Sequence, residues 1–131
     1  MSIDQFSMVH PLRVRWAEAD MQGVVFNAHY LAYCDDAADL WFRSIGALLE
    51  GGEWDVMVKR ATITWDGAAR VHDDLAIAVS VSRWGTTSFD VRFEGAVDDR
   101  DVFTADLTYV AVVTGTTDPV PVPAEFRAAA S

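Results

Sequence analysis

Polar and apolar residues alternate along this chain with two different periods, and the change of period divides it. From Ala28 to about Ile45, the residues Tyr30, Cys34, Ala37, Ala38, Trp41 and Ile45 recur at three- and four-residue spacing, while Asp35, Asp36, Asp39 and Arg43 fall mostly between them. This spacing predicts a half-buried helix with one apolar stripe. Asn27 is suited to cap its start, and Gly46 or the Gly51-Gly52 pair closes it. After Trp54 the period falls to two. Asp55 to Asp66 is rich in Val, Ile, Thr and Trp; Leu75 to Ser82, Phe89 to Glu94 and Phe103 to Val113 alternate apolar with polar or small residues. Each reads as a strand. Turn residues separate them at Asp66-Gly67, Asp73-Asp74, Trp84-Gly85 and Asp98 to Asp101.

A further strand is expected over Leu12 to Glu18, ahead of a short loop containing Gly23. The order is then one strand, one long helix and four strands, and the short connections favour an antiparallel meander. One apolar sheet face needs cover, and the long helix supplies it. The expected architecture is α+β: a curled antiparallel sheet of about five strands around one long central helix. Val110 and Val112 are apolar on the second face of the last strand, which points to packing against another subunit. Pro119, Pro121 and Pro123 predict an extended tail over residues 116–131 after a core of about 9–115. Residues 1–131 are read as one domain.

Composition narrows the chemistry. Twenty acidic residues against ten basic ones give a net charge of −10. That balance argues against nucleic acid or an anionic membrane surface as partner. Nine of the ten cations are arginine, the side chain suited to bidentate phosphate contacts. No apolar run reaches the ~20 residues of a membrane span, so no membrane insertion is expected. Met1 to His10 lacks the pattern of a secretory signal. With Cys34 as the single cysteine, a reducing cytoplasm is the expected location. His10, His72 and Cys34 have no ligand spacing, and no metal is expected.

The most suggestive stretch runs from Asp20 to Tyr30, where a lone carboxylate precedes a glycine loop and a helix start. Free amides at a helix start form an anion site, and a carboxylate facing it could act on an activated acyl group. Arg15-Trp16-Ala17-Glu18-Ala19-Asp20, Gly23-Val24-Val25 and Asn27-Ala28-His29-Tyr30 resemble the hotdog-fold acyl-CoA thioesterases of the 4-hydroxybenzoyl-CoA thioesterase type. Ala69 to Leu75 and Ser88-Phe89 also resemble that family. The similarity spans about residues 9–115.

The resemblance implies a hotdog fold and hydrolysis of acyl-CoA, or another acyl thioester, to free acid and thiol. It implies Asp20 as nucleophile or general base, the Asn27 backbone amide as oxyanion donor, and Gly23 as the residue that lets the loop approach the substrate. Substrate contacts fall to Val24, Phe26, Tyr30, Arg70, Arg83 and Ser88. It also implies a homodimer or homotetramer with sites at the subunit boundary, and no cofactor beyond the coenzyme A of the substrate. One departure stands out: Trp84 is followed by uncharged Gly85-Thr86-Thr87, leaving Arg83, Arg70, Lys59 or Arg60 to meet the nucleotide phosphates.

Several residues admit plainer readings. Asp20 and Asn27 are also ordinary capping residues. Glu18 reads as a solvated strand residue, His29 as a helix-surface histidine, and Tyr30 and Cys34 as core. Arg70 and Arg83 also serve to offset local acidic charge. A non-catalytic hotdog protein binding acyl or aromatic ligands is the alternative function. A hotdog hydratase would want a histidine just after Asp20, which is lacking.

Overall fold

The helix predicted by the apolar stripe runs over Asn27–Ser44 (α1), in a computed structural model that describes residues 6–47 and 52–131. Residues 1–5 and Gly51, which enter the readings above, lie outside the described residues. The N-cap is Phe26 rather than Asn27, with extended backbone and no side-chain cap. The chain reaches the helix from a β-bridge between Ala19 and Val25. The Phe26 N–H donates to the Glu18 carbonyl (3.0 Å). Phe26 is therefore the last extended residue, and Asn27 already lies in the first turn. Gly46, just past the C-cap Ile45, takes the left-handed φ of 80° that closes the helix.

Five strands form one antiparallel sheet: β1 (Met8–Arg13), β2 (Trp54–Trp65), β3 (Asp74–Trp84), β4 (Ser88–Val97) and β5 (Arg100–Val113), in the order β1-β3-β4-β5-β2. The expected meander holds for β3 to β5 only. β2 pairs with β5 at the far edge, so the 66–73 connection crosses the end of the sheet. Local periodicity reports a strand's faces and not its neighbours, so it does not predict the crossover. The crossing chain is held against the start of α1. The Val25 N–H donates to the Ala69 carbonyl (2.9 Å), and Val24 bridges Arg70.

The first strand also differs from expectation. β1 ends at Arg13, and Trp16–Glu18 form a 3-10 turn instead of a strand end. The Arg15 N–H donates to the Glu18 carboxylate (2.8 Å), and the Glu18 N–H donates back to the Arg15 carbonyl (3.0 Å). These reciprocal bonds satisfy the backbone locally and divert it from the ladder.

Tyr30, Tyr33, Cys34, Ala37, Ala38, Trp41 and Phe42 of α1 are buried. They join one core with the inward residues of β3, β4 and β5, including Leu75, Ile77, Phe93 and Leu107. Each such large side chain contributes on the order of 1.5–3 kcal/mol by leaving water. The tail is not wholly extended: residues 124–130 form a short helix (α2, Ala124–Ala130). Its Phe126 packs edge-on against Phe42, Trp54 and Trp84, and this burial favours helix over extended chain. Before it, the Val120 N–H donates to the Ala111 carbonyl (2.9 Å) and Val112 bridges Pro119. Val112 is 3% exposed within the single chain, so only half-buried Val110 of the expected apolar pair faces outward. The outer face around it is polar, with Arg83 paired to Asp90 (2.7 Å) and Arg92 to Asp106 (2.8 Å).

Candidate active site

Between the 3-10 turn and α1, residues 19–25 form a closed loop. The Asp20 N–H donates to the Val24 carbonyl (2.8 Å), and the Gly23 N–H donates to the Asp20 carbonyl (3.0 Å). One oxygen of the Asp20 carboxylate accepts the Gln22 N–H (2.8 Å). This Asx turn fixes the side chain and leaves its second oxygen without a hydrogen bond from the described residues. Gly23 has φ 78°, and a side chain there would meet no atom within 4 Å. The turn conformation itself, and not crowding, demands glycine at that position.

The loop leads straight into α1. The His29 N–H donates to the Phe26 carbonyl (3.0 Å), while the Asn27 and Ala28 amides have no protein acceptor among the described residues. These are the orphan donors of a helix start, at its positive dipole end. Asp20 is half-buried. The surrounding rim is apolar and open: Trp16 is 80% exposed and Phe26 52%, and Met21 is fully exposed.

The other expected site residues divide by position. Arg70 joins the loop through its bridge to Val24, and its side chain is exposed. Tyr30 is buried beneath the loop, ringed by Tyr33, Trp65 and Phe103. Val24 is half-buried. Arg83 and Ser88 lie at the opposite end of β3 and β4, and strand β3 spans about 3.3 Å per residue over its length. The Arg83 guanidinium there donates to Asp90 and to the Ser88 hydroxyl (3.1 Å). One chain therefore does not bring Arg83 or Ser88 to Asp20. Arg60 lies on the outer sheet face in a shallow depression with Thr62, Asp90, Asp106 and Thr108.

Two open clefts flank α1. One, of about 650 Å³, is lined by Leu12, Arg15, Ala17, Glu18, His29, Ala32, Tyr33 and Asp36. The other, of about 500 Å³, lies toward β2 and includes Asp35, Asp39, Phe42, Val58 and Tyr109. In it the Tyr109 hydroxyl donates to Asp35 (3.1 Å), and burial with the Asp35 charge pushes its pKa up. Asp20 lines neither cleft.

Glu18 overturns its expected reading. It is 7% exposed. Burial alone would push its pKa up, but the guanidinium of Arg15 (2.7 Å), the Arg15 backbone N–H and the nearby Tyr33 hydroxyl outweigh that and hold it down to about 2. The spacing of Arg15 and Glu18, with a carboxylate three residues into a turn, was the available signal. Cys34 is fully buried, and desolvation raises its thiol pKa, as befits a core residue. Among the described residues, no group of three or more His, Cys, Asp or Glu is disposed to hold a metal. Among them, too, no helix is long and apolar enough to cross a membrane.

The sequence signature of the thioesterase-like superfamily matches residues 14–130, and the chain belongs to that superfamily. A comparison with curated protein sequences finds no match. Solved structures share the hotdog fold. A protein from Pseudomonas aeruginosa is 22% identical with a TM-score of 0.88, covering 97% of this chain and 91% of its own. A 1,4-dihydroxy-2-naphthoyl-CoA thioesterase from Synechocystis is 20% identical at TM-score 0.82, covering 92% of this chain and 93% of its own. A mutant 4-hydroxybenzoyl-CoA thioesterase complexed with 4-hydroxybenzoyl-CoA is 18% identical at TM-score 0.86, covering 95% and 98%.

Proposed function

We propose that this protein hydrolyses an acyl-CoA thioester to free acid and thiol. Asp20 serves as nucleophile or general base, and the Asn27 amide stabilises the oxyanion. The observation that carries this reading is the short closed loop joining Asp20 to the unpartnered amides of α1, in a chain of the thioesterase-like superfamily. A thioester carbonyl is electrophilic and its thiolate leaves readily, so one carboxylate and one amide donor suffice without a triad. As nucleophile, Asp20 adds to the carbonyl carbon and expels thiolate, leaving a mixed anhydride for water to cleave. As base, it takes a proton from the attacking water. In either route the negative oxygen forms beside the helix start, where such a donor contributes on the order of 3 kcal/mol.

Arg70, exposed beside the loop, is the phosphate contact in this reading, and Gly23 and Val24 give close backbone approach. The exposed rim of Trp16, Met21 and Phe26 and the open edge of β2 support a homodimer or homotetramer that completes the site. A partner's Arg83 and Ser88 then become available to it. The acidic surface suits a cytoplasmic enzyme needing no cofactor of its own. A thiol-trapping assay over aromatic and aliphatic acyl-CoA esters tests the proposal: turnover supports it, and saturable binding without turnover replaces it with a ligand-binding role.

A further inference from the structure

Glu18 sits where three parts of the molecule meet. Its carboxylate holds the 3-10 turn through Arg15, with contacts of 2.8 Å to the backbone N–H and 2.7 Å to the guanidinium. Its carbonyl accepts the N–H of Phe26, the residue that opens α1. Its side chain lines the 650 Å³ cleft together with Tyr33, two turns into the same helix. Tyr33 is 3% exposed, and its hydroxyl is fully buried and makes no full hydrogen bond among the described residues, although it lies near enough to the Glu18 carboxylate to help hold it charged. A buried hydroxyl left without a full bond costs free energy, on the order of 1–3 kcal/mol in general, and such a group calls for a reason.

We propose that Glu18, set against Tyr33, is a positioning residue for the thioester cleavage, and this inference rests on the function proposed above. Asp20 follows Glu18 by two residues, and the loop from Ala19 to Val25 hangs between the Glu18 carbonyl and the helix cap. The root of that loop therefore sets how far the Asp20 carboxylate stands from the Asn27 and Ala28 amides. An apolar residue at position 18 would fill the space but would not orient the turn. A charge-assisted pair anchored on a buried carboxylate is directional, which is the property a reacting geometry needs. The Tyr33 hydroxyl, on the α1 side of the junction, favours the charged form of the same carboxylate.

The test uses the full chain with Glu18→Gln and Tyr33→Phe. Glutamine keeps the shape but turns an amide donor toward Arg15; phenylalanine removes only one oxygen. Near-UV circular dichroism at a temperature well below unfolding fixes the folded fraction. Amide hydrogen exchange then reports the Asp20 and Phe26 N–H groups against core amides of β4. The expected result for Glu18→Gln is exchange about tenfold faster at Asp20 and Phe26 with β4 unchanged. With it comes a kcat about tenfold lower at a KM within about twofold. Tyr33→Phe moves both in the same direction, and the double variant is no worse than the poorer single one. If Glu18→Gln fails to fold, Tyr33→Phe alone decides. Unchanged exchange and unchanged kcat in the folded variants overturn the positioning role. If the wild type cleaves no thioester, the function has failed, and exchange still decides whether Glu18 and Tyr33 fix the loop.

Discussion

The Tyr30 hydroxyl accepts the Ala69 N–H at 3.2 Å, both residues being fully buried. Together with the Val25–Ala69 backbone bond, this bond joins the start of α1 to the connection that carries the chain from β2 across to β3. Tyr30→Phe leaves the Ala69 amide buried without an acceptor, and the expected cost is about 1–3 kcal/mol. Urea denaturation measures it directly. A loss below about 0.3 kcal/mol would mean that the amide finds another acceptor and that the bond does not anchor the crossover.

Gly95 is a packing requirement. Its missing side chain makes room for the ring of Phe103 on the neighbouring strand, and an added methyl would overlap ring atoms directly. Gly95→Ala is expected to destabilise by roughly 1–3 kcal/mol, through overpacking in the core. Thermal melting of the variant checks it, and the double variant with Phe103→Leu should recover part of the loss.

Glu18 makes stability depend on pH in a known direction. Its folded pKa of about 2 lies below the ordinary 4.5, so the folded protein binds this proton less readily than the unfolded chain. The contribution is complete above about pH 4.5 and is lost as pH falls toward 2. Because its partner Arg15 is 77% exposed, screening trims the contribution to about 2 kcal/mol. Denaturation of wild type and Glu18→Gln between pH 6 and 2.5 should show the gap between them narrowing with acid. A constant gap contradicts the assignment.

Arg70 offers a test of the nucleotide end. Removing a guanidinium from a phosphate contact costs on the order of 1.5–3 kcal/mol. Arg70→Ala is therefore expected to raise KM for a CoA thioester about tenfold. The KM for the same acyl group on N-acetylcysteamine, which lacks phosphates, should not move. Equal effects on both substrates would assign Arg70 to the loop and not to the phosphates.

Periodicity made α1 and the last four strands legible, with ends within a few residues of those observed. Periodicity carries no information on pairing partners, and the pairing of β2 with β5 is therefore not legible in it. The turn at Trp16–Glu18 has no turn residue to mark it, and its mix of apolar and charged residues is compatible with a strand. Its cause is one side chain, Glu18, folding back on Arg15. The helix α2 had a signal: Ala124-Glu125-Phe126-Arg127-Ala128-Ala129-Ala130 are good helix formers after Pro123, but the three prolines before it suggested only extended chain. Within the site, the Asp20 loop and the helix start were legible as a motif. The closure of the loop by its own hydrogen bonds, and the burial of Glu18 beside it, depend on contacts with α1 that no local pattern carries.

The central claim is tested by the rate of thiol release from acyl-CoA esters by wild type and Asp20→Asn. Asparagine keeps an acceptor for the Gln22 N–H and so preserves the loop, while removing the nucleophile or base. The predicted result is an unchanged melting temperature with turnover reduced at least about a hundredfold. A folded Asp20→Asn protein releasing thiol within about twofold of wild type would contradict the account.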